Sequence, residues 1–251
     1  LDGTLAAQVV DLTTGQVLYD RNATAPVTPA STLKMMTATA LVDAVGPAHR
    51  FSTKVVAGPD NGIVLVGGGD PLLSVQAEGD GYPKPASLSE LAGATAAVLK
   101  ERGLTTVALG YDDTAFSGPS WNATWDAGYT SEVTDISALM ADEGRNKGET
   151  SRSKNPSLHA AEAFVRLLGD NGVTVSGPPT AAAALPDGAP IAEVASLPVS
   201  ELAGFALLES DNTVTEVLLR QLAIADGQQA SFDGGVAALT TRMRRFGLWS
   251  D

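Results

Sequence analysis

Ser31 and Lys34 are a serine and a lysine that could act together as a nucleophile and its base. Pro29 favours a helix start at about Ala30 or Ser31, so the serine is predicted to lie in the first turn, and residues three apart share one helix face. A lysine can accept a proton from serine only when its neutral form is favoured, and the apolar run 33–45 supplies burial. The alternative interpretation is a helix-capping serine and a surface lysine.

The same Ser-x-x-Lys spacing occurs a second time, at Ser151 and Lys154. This copy lies in the polar stretch 146–156, which contains glycine and proline and is typical of a loop with solvated charges. We therefore expect only the first copy to carry chemistry.

A second polar group, Ser210-Asp211-Asn212, interrupts two apolar helical patterns at 199–208 and 214–223. A serine hydroxyl at this place could relay a proton, and the asparagine amide could hold Lys34 or a substrate carbonyl. The alternative is a helix–helix turn in which Ser210 or Asp211 caps the second helix. The Ser-x-Asn pattern also occurs at 120–122 and 153–155, but neither copy lies between apolar helices.

Aromatic residues and one carboxylate are concentrated in a loop that contains Trp121, Trp125, Asp126 and Tyr129. Such a loop can serve as packing between lobes or as a ligand-facing wall. The glycine run 67–69 follows a predicted strand but lacks the remaining residues of a nucleotide-binding motif, so we interpret it as a tight turn.

Composition excludes several classes of function. The chain has 251 residues and a net charge of −13, with no basic stretch beyond 242–245, which argues against binding to nucleic acid or an anionic membrane. It has no cysteine and two histidines, so we expect no disulfide, no metal site, no cofactor and no histidine-based triad. No apolar run reaches membrane-spanning length, and we expect that any export signal was removed or was never there.

The elements that must position these residues can be read from periodicity and turn signals. The predicted strands are 5–12 and 16–19, joined as a hairpin, then 53–57, 63–66, 106–109 and 173–175. The predicted helices are a first one from Ser31 to the Gly46-Pro47 stop, then 89–102, 157–168, 199–208 and 214–223, with an Ala/Pro linker at 180–190.

Together, the Ser31-x-x-Lys34 and Ser210-Asp211-Asn212 groups resemble the first two motifs of the serine penicillin-recognising enzymes. The long stretch between them resembles the class C low-molecular-mass penicillin-binding proteins, the penicillin-binding protein 4 or peptidase S13 family of D-alanyl-D-alanine carboxypeptidases and endopeptidases. The segments that carry this resemblance are Val66-Gly-Gly-Gly-Asp-Pro-Leu72, Gly118-Pro-Ser-Trp121 with Trp125 and Tyr129, Ile136-Ser-Ala-Leu139, Asn155-Pro-Ser-Leu-His-Ala-Ala161 and Leu197-Pro-Val-Ser-Glu-Leu202.

The resemblance implies a role for each residue. Ser31 would attack the carbonyl of the penultimate D-alanine of a peptidoglycan stem, or a β-lactam, to form an acyl-enzyme, and its backbone N–H would be one oxyanion donor. Lys34 would be the base, with Ser210 and Asn212 in the roles given above. Asp126 would meet the amine end of the stem side chain, in a substrate-binding wall with Tyr129.

Two features of the family's pattern are missing from this sequence. It contains no Lys-Thr-Gly or Lys-Ser-Gly, the third motif that binds the substrate carboxylate, and only the loop 142–155 stands where a small third lobe is usually inserted. In this fold the N-terminal hairpin pairs with C-terminal strands, so the hairpin is predicted to have an unpaired edge. We therefore expect a companion segment or chain that completes the sheet.

The predicted fold is α/β and multi-domain: a penicillin-binding-protein/β-lactamase-like transpeptidase domain, formed by 1–50 and 191–251, split by an inserted α/β domain at 51–190. The predicted function is an extracytoplasmic serine DD-peptidase, periplasmic or cell-wall associated, that is acylated by β-lactams. The alternative is a catalytically weak penicillin-binding-like module that senses muropeptides or a protein partner. A β-lactamase is disfavoured, because no deacylating carboxylate can be placed.

Overall fold

The computed structural model describes residues 5–77, 84–146, 151–185 and 188–249. The helices are α1 (Lys34–Val45), α2 (Leu88–Glu101), α3 (Pro156–Asp170), α4 (Val199–Leu208), α5 (Asn212–Ala225) and α6 (Phe232–Arg245). The strands are β1 (Ala7–Val10), β2 (Val17–Arg21), β3 (Ser52–Ala57), β4 (Ile63–Val66), β5 (Thr106–Val107), β6 (Leu109–Asp112), β7 (Thr174–Val175), β8 (Thr180–Ala181) and β9 (Pro190–Ala195). None of the described helices combines the length and the apolar character needed to cross a membrane.

Residues 1–33 form one compact unit and residues 34–251 a second one. In the first unit, β1 and β2 pair as an antiparallel hairpin, as the sequence predicts. Its turn is held by the Asp11 carboxylate, which accepts hydrogen bonds from the backbone N–H groups of Thr13 and Thr14. All five residues of β2 are exposed, so this hairpin presents apolar side chains such as Leu18 and Tyr19 to solvent.

The second unit contains a five-stranded sheet in the order β8-β6-β4-β3-β9. β3 pairs antiparallel with both β4 and β9, whereas β4, β6 and β8 run parallel to one another. Helices α2 and α3 cover this sheet and share with it a buried apolar core that includes Leu65, Leu91 and Phe164. This part of the chain is a sheet with helices packed on it, which is the α/β arrangement that the sequence predicts.

The second apolar core of this unit is helical. It joins α1, α4, α5 and α6 through side chains that include Leu41, Leu202, Val214 and Leu222. Helix α1 ends at a glycine: Gly46 has a φ of +87° and donates its N–H to the carbonyl of Val42, which is a common way to terminate a helix. The helical core therefore fixes the first residue of α1, Lys34, relative to the first turn of α5.

Three predictions made from local patterns need correction. The predicted strand 106–109 is divided into β5, which pairs with β7, and β6, which belongs to the five-stranded sheet. The predicted linker 180–190 contains the short strand β8, and the strand β9 was missed. Because β9 begins with a proline and has no fully buried residue, its sequence lacks the apolar signal of a sheet strand.

The glycine run after β4 is irregular backbone and not the predicted tight turn, which lies further on at 71–72. Two of its glycines permit a very close approach of the chain. A Cβ atom on Gly67 would lie 2.4 Å from the Ala138 carbonyl oxygen, and one on Gly68 would lie 2.1 Å from that of Ser52. Gln221 of α5 donates to the carbonyls of Gly68 and Gly69, at 2.6 and 3.1 Å. The glycine segment therefore connects the five-stranded sheet to the helical core.

Candidate active site

Lys34 lies at the first position of α1 and contacts the polar group between α4 and α5. Its Nζ donates a hydrogen bond to Asn212 Oδ1 at 2.8 Å and a longer one to Ser210 Oγ at 3.5 Å. The lysine is half-buried and the serine is exposed. Two groups that are 176 and 178 positions distant from Lys34 along the chain thus meet at its amine.

Ser31 lies in a turn of 3-10 helix, Ala30–Leu33, and its side chain is exposed. The predicted helix does begin at Ala30, but its first turn is 3-10 and the α-helix proper begins at Lys34. Ala30 has a φ of +47°, a conformation that costs free energy for a residue with a side chain and is concentrated at functional sites. The role of Ser31 as nucleophile stays a prediction.

Ser210 is the residue at which α4 is separated from α5. Its φ is +53°, so it also adopts the left-handed conformation. The next residue, Asp211, is the N-cap of α5 and accepts a hydrogen bond from the N–H of Val214 at 2.8 Å. The capping interpretation is therefore correct for Asp211, and the flanking Ser210 and Asn212 remain available to Lys34.

The other two Ser-x-Asn copies serve local structure. Asn155 is the N-cap of α3 and accepts from the N–H of Leu158 at 3.0 Å. Asn122 accepts from the N–H and hydroxyl of Thr124. The contact with a lysine separates the copy at 210–212 from these two.

Burial lowers the pKa of Lys34 below its ordinary value, which favours the neutral amine that a base requires. The carboxyl groups of Asp211 and Glu216 act in the opposite direction and raise the lysine pKa. Glu216 lies one turn after Asn212 on α5, and burial raises its own pKa to about 7, although Arg220 and Lys34 both lower it. Its Oε2 atom is buried and has no hydrogen-bond partner.

The prediction that the loop 146–156 carries solvated charges is wrong for Arg152. Lys154 is exposed, but the Arg152 side chain is only 4% exposed and forms ion pairs with Glu143 and Asp211, at 3.4 and 4.0 Å. Arg145 also faces both carboxylates, at 3.0 and 3.9 Å. We call Glu143, Arg145, Arg152 and Asp211 the arginine network.

Two aromatic side chains of the aromatic loop, Trp121 and Trp125, pack against neighbouring rings. Trp121 and Trp125 are in edge-to-face contact at 5.1 Å, and Trp125 makes the same kind of contact with Phe232 of α6 at 5.2 Å. Asp126 caps a 3-10 turn by accepting from the N–H of Gly128 at 2.7 Å, and Tyr129 is 51% exposed. The substrate-binding role of Asp126 and Tyr129 stays a prediction.

Three charged residues of this region were not singled out from the sequence as site residues. Glu216 was noted only as one member of a helical pair with Arg220, and Glu143 and Arg152 lie in polar segments without periodicity. The burial of these side chains depends on tertiary contacts, so no local pattern could have indicated it. Within the described ranges, no group of three or more histidine, aspartate or glutamate side chains is placed to hold a metal ion.

The chain is similar to known proteins over nearly its whole length. A sequence model of the D-Ala-D-Ala carboxypeptidase 3 (S13) family matches residues 1–154 and 140–251. Carboxypeptidase Rv3627c of Mycobacterium tuberculosis is 34% identical over 253 residues, which cover 96% of this chain and 53% of that protein. Carboxypeptidase DacB of Mycolicibacterium smegmatis is 33% identical over 255 residues, which cover 98% of this chain and 54% of that protein.

Solved structures confirm the predicted fold class. Penicillin-binding protein 4 (dacB) of Haemophilus influenzae superimposes with a TM-score of 0.76 at 18% identity, covering 97% of this chain and 68% of that chain. The same protein in complex with a β-lactam superimposes with a TM-score of 0.69 at 17% identity. The fold is therefore the penicillin-binding-protein-like α/β fold, and the chain belongs to the D-Ala-D-Ala carboxypeptidase (S13) family.

Proposed function

We propose that this chain carries the nucleophile of a serine DD-peptidase, which cleaves the terminal D-Ala-D-Ala bond or D-Ala-diamino acid cross-links of peptidoglycan. The observation that carries the proposal is the contact of the Lys34 amine with Ser210 and Asn212. Membership of the S13 family supports it. The chain spans about half the length of the curated relatives it matches, so the activity is proposed for the whole protein.

In the proposed reaction Ser31 Oγ attacks the carbonyl carbon of the penultimate D-alanine. The serine proton passes to neutral Lys34, and the electron pair of the carbonyl moves onto its oxygen, next to the backbone N–H of Ser31. When the tetrahedral intermediate collapses, the C–N bond breaks and the leaving amine takes a proton from Lys34 through Ser210. Water then hydrolyses the acyl-enzyme and regenerates Ser31.

The environment of Lys34 supports its role as the base. Burial lowers its pKa, and Asn212 Oδ1 orients the amine by accepting a hydrogen bond from it, which leaves the nitrogen lone pair for Ser31. Asp126 and Tyr129 are proposed to face the side chain of the stem peptide. This assignment rests on the resemblance to the family and on the exposure of Tyr129.

We also propose that a companion segment or chain covers the hairpin β1–β2 and supplies the Lys-Thr/Ser-Gly motif that this sequence lacks. In support, the hairpin is a two-stranded sheet with three exposed apolar side chains on β2, Val17, Leu18 and Tyr19. The catalytic domain would then comprise 1–50, 191–251 and the companion, with 51–190 as the inserted domain. If the 251-residue chain alone were monomeric and as active as the full-length gene product, the companion proposal would be wrong.

The proposed substrate implies a site of action and a class of inhibitors. A peptidoglycan substrate requires the protein to work outside the cytoplasm, in the periplasm or at the cell wall. β-Lactams, which resemble the D-Ala-D-Ala amide, should acylate Ser31, and the related penicillin-binding protein 4 has been crystallised with one.

A second candidate is a penicillin-binding-like module that binds muropeptides or a protein partner without turnover. Release of D-alanine from an N-acylated peptide ending in D-Ala-D-Ala distinguishes the two. The full-length gene product should release D-alanine, and Ser31→Ala should abolish release while the protein stays folded. Binding of the peptide without release, by a folded full-length protein, would support the module and contradict the peptidase.

A further inference from the structure

The Arg152 side chain joins three segments that are distant in sequence. Its Nη1 donates to Thr213 Oγ1 at 2.9 Å and to the Glu143 carbonyl at 3.2 Å, and its Nε donates to the Ser131 carbonyl at 3.3 Å. With the ion pairs to Glu143 and Asp211, one nearly buried guanidinium contacts the turn at 142–144, the 3-10 helix at 127–131 and the start of α5.

The contacts on α5 surround the residues that meet Lys34. Asp211 separates Ser210 from Asn212 in sequence, and its Oδ2 faces Arg152 while its Oδ1 caps α5. Thr213 is fully buried, and its hydroxyl also accepts from the N–H of Thr134 at 3.2 Å. Both neighbours of Asn212 therefore contact Arg152, and one of them, Asp211, directly follows the left-handed Ser210.

The contact with Ser131 reaches the predicted substrate wall. Ser131 is the last residue of the 3-10 helix that contains Tyr129 and is capped by Asp126. Arg152 is thus the one side chain described above that touches both this helix and the start of α5. Movement of either segment relative to the other would break hydrogen bonds to the same guanidinium.

The charges around Arg152 explain why an arginine is needed there. Glu143 and Asp211 are two carboxylates in a half-buried site, and burial and Asp211 both raise the pKa of Glu143 while Arg145 and Arg152 lower it. Arg145 is 54% exposed, so Arg152 is the buried cation of the network. A guanidinium can serve several acceptors in fixed directions, whereas a lysine ammonium is a point charge on a flexible stem.

We propose that Arg152 is a positioning residue, which holds Ser210 and Asn212 at Lys34 and keeps the Asp126–Tyr129 wall at a fixed distance from them. This inference rests on the proposed peptidase function. Loss of Arg152 should slow acylation of Ser31, since small misplacements of catalytic groups reduce rates strongly. It should also weaken the discrimination between stem peptides with a free and an acetylated side-chain amine.

The test compares Arg152→Met, Arg152→Lys and Thr213→Val with wild-type protein, all as full-length gene product. The readouts are the rate constant for acylation by a fluorescent penicillin, the kcat and KM for the two peptides, and the melting temperature. A matched control is Arg242→Met, because Arg242 is also poorly exposed and pairs with two carboxylates, Asp226 and Asp43. This control should lower the melting temperature and leave acylation of the folded protein unchanged.

We expect Arg152→Met to slow acylation by about tenfold or more, with Arg152→Lys restoring only part of the rate. Its kcat should fall for both peptides, and the ratio of the two kcat/KM values should approach one. If Arg152→Met does not fold, Thr213→Val, which removes one acceptor of Arg152, should still slow acylation severalfold. If Arg152→Met folds and has wild-type rates and selectivity, the inference is wrong. If Arg152→Met does not fold, wild-type rates and selectivity in Thr213→Val would likewise overturn it. An unreactive wild-type protein would instead overturn the proposed function, and the inference with it.

Discussion

The Nζ atom of Lys34 lies 2.8 Å from the Oδ1 atom of Asn212, across a sequence separation of 178 residues. Both residues begin a helix, α1 and α5 respectively, and these helices pack against each other in the helical core. The geometry of the site therefore depends on helix packing. The same packing sets the pKa of Lys34, because burial lowers it and the nearby carboxyl groups of Asp211 and Glu216 raise it by less.

Asn212→Asp should move the acid limb of the pH profile of acylation to higher pH. A carboxylate in contact with the ammonium form stabilises it, so the pKa of Lys34 rises and the neutral base appears only at higher pH. An acid at the first position of α5 is compatible with the helix dipole, so folding should be retained. The rate of acylation by a penicillin, measured against pH, checks this.

The matched control for this change is Asn155→Asp, at the Ser-x-Asn copy that caps α3. It adds the same charge without contact to the lysine and should leave the profile in place. An unchanged acid limb in Asn212→Asp would mean that Lys34 is not the titrating base.

Glu216→Gln should move the acid limb in the opposite direction. The carboxyl group of Glu216 raises the pKa of Lys34, so a neutral amide at 216 lets that pKa fall further, and the neutral amine appears at lower pH. The shift should be smaller than that of Asn212→Asp, since Glu216 is the smallest of the contributions to the pKa of Lys34. The same pH profile measures it, with Glu162→Gln on the exposed face of α3 as the control. A shift to higher pH would contradict the assignment.

Asp70→Asn should remove part of the pH dependence of stability. Burial raises the pKa of Asp70 to about 7, despite a hydrogen bond from the N–H of Leu72. Between the unfolded value near 3.8 and this folded value, the native state keeps a proton that the unfolded state releases, so stability falls as pH rises. The slope is at most about 1.4 kcal/mol per pH unit for one group.

The free energy of unfolding from urea titrations at several pH values measures this effect. The free energy of unfolding of Asp70→Asn minus that of wild type should be constant below pH 4 and increase between pH 4 and pH 7. Glu143 and Glu216 contribute equally to both proteins, so their titration cancels in this difference. Parallel curves for the two proteins would show that Asp70 titrates normally in the folded state.

Arg220→Met should destabilise the protein by about 3–5 kcal/mol. The guanidinium of Arg220 is buried, donates to the carbonyls of Ser117, Pro119 and Ala230, and stacks on Phe232. Its removal takes a charged donor away from three carbonyl groups, of which the buried one of Ala230 keeps a second hydrogen bond from the N–H of Ser117. It also takes a cation away from Glu216. Chemical denaturation measures the loss.

Arg166→Met serves as the comparison for Arg220→Met, because Arg166 is exposed on α3. This substitution should lower the free energy of unfolding by less than about 0.5 kcal/mol. Similar losses in the two variants would argue that the hydrogen bonds of Arg220 contribute little to stability.

Helices with an apolar face were predictable from the sequence, and strands without one were not. The patterns at 199–208 and 214–223 predict α4 and α5 to within a few residues, because their periodic apolar residues are the ones that pack in the helical core. β9 has no fully buried residue, and α6 contains two consecutive glycines and several polar residues, so neither has a strong local signal. β9 forms where β3 offers a free edge, which is a tertiary effect.

The site could be predicted where a residue type and a spacing define the chemistry. Lys34, Ser210 and Asn212, which the structure brings into contact, were singled out in this way, while the catalytic roles of these residues and of Ser31 stay predictions. Three other matches to the same short patterns were set aside for their surroundings. From the sequence, Arg152 was assigned to a solvated loop, because nothing in the run 146–156 distinguishes an arginine whose side chain is buried. Its environment is built by Glu143, Asp211 and Thr213, which the fold brings together.

The most direct test of the central claim is the mass of the protein after incubation with a penicillin, followed by peptide mapping of the modified residue. If Ser31 is the nucleophile, the full-length protein gains the mass of one penicillin molecule, the adduct lies on Ser31, and Ser31→Ala gains nothing. A folded full-length protein that gains no mass, or that carries the adduct on another residue, would contradict it.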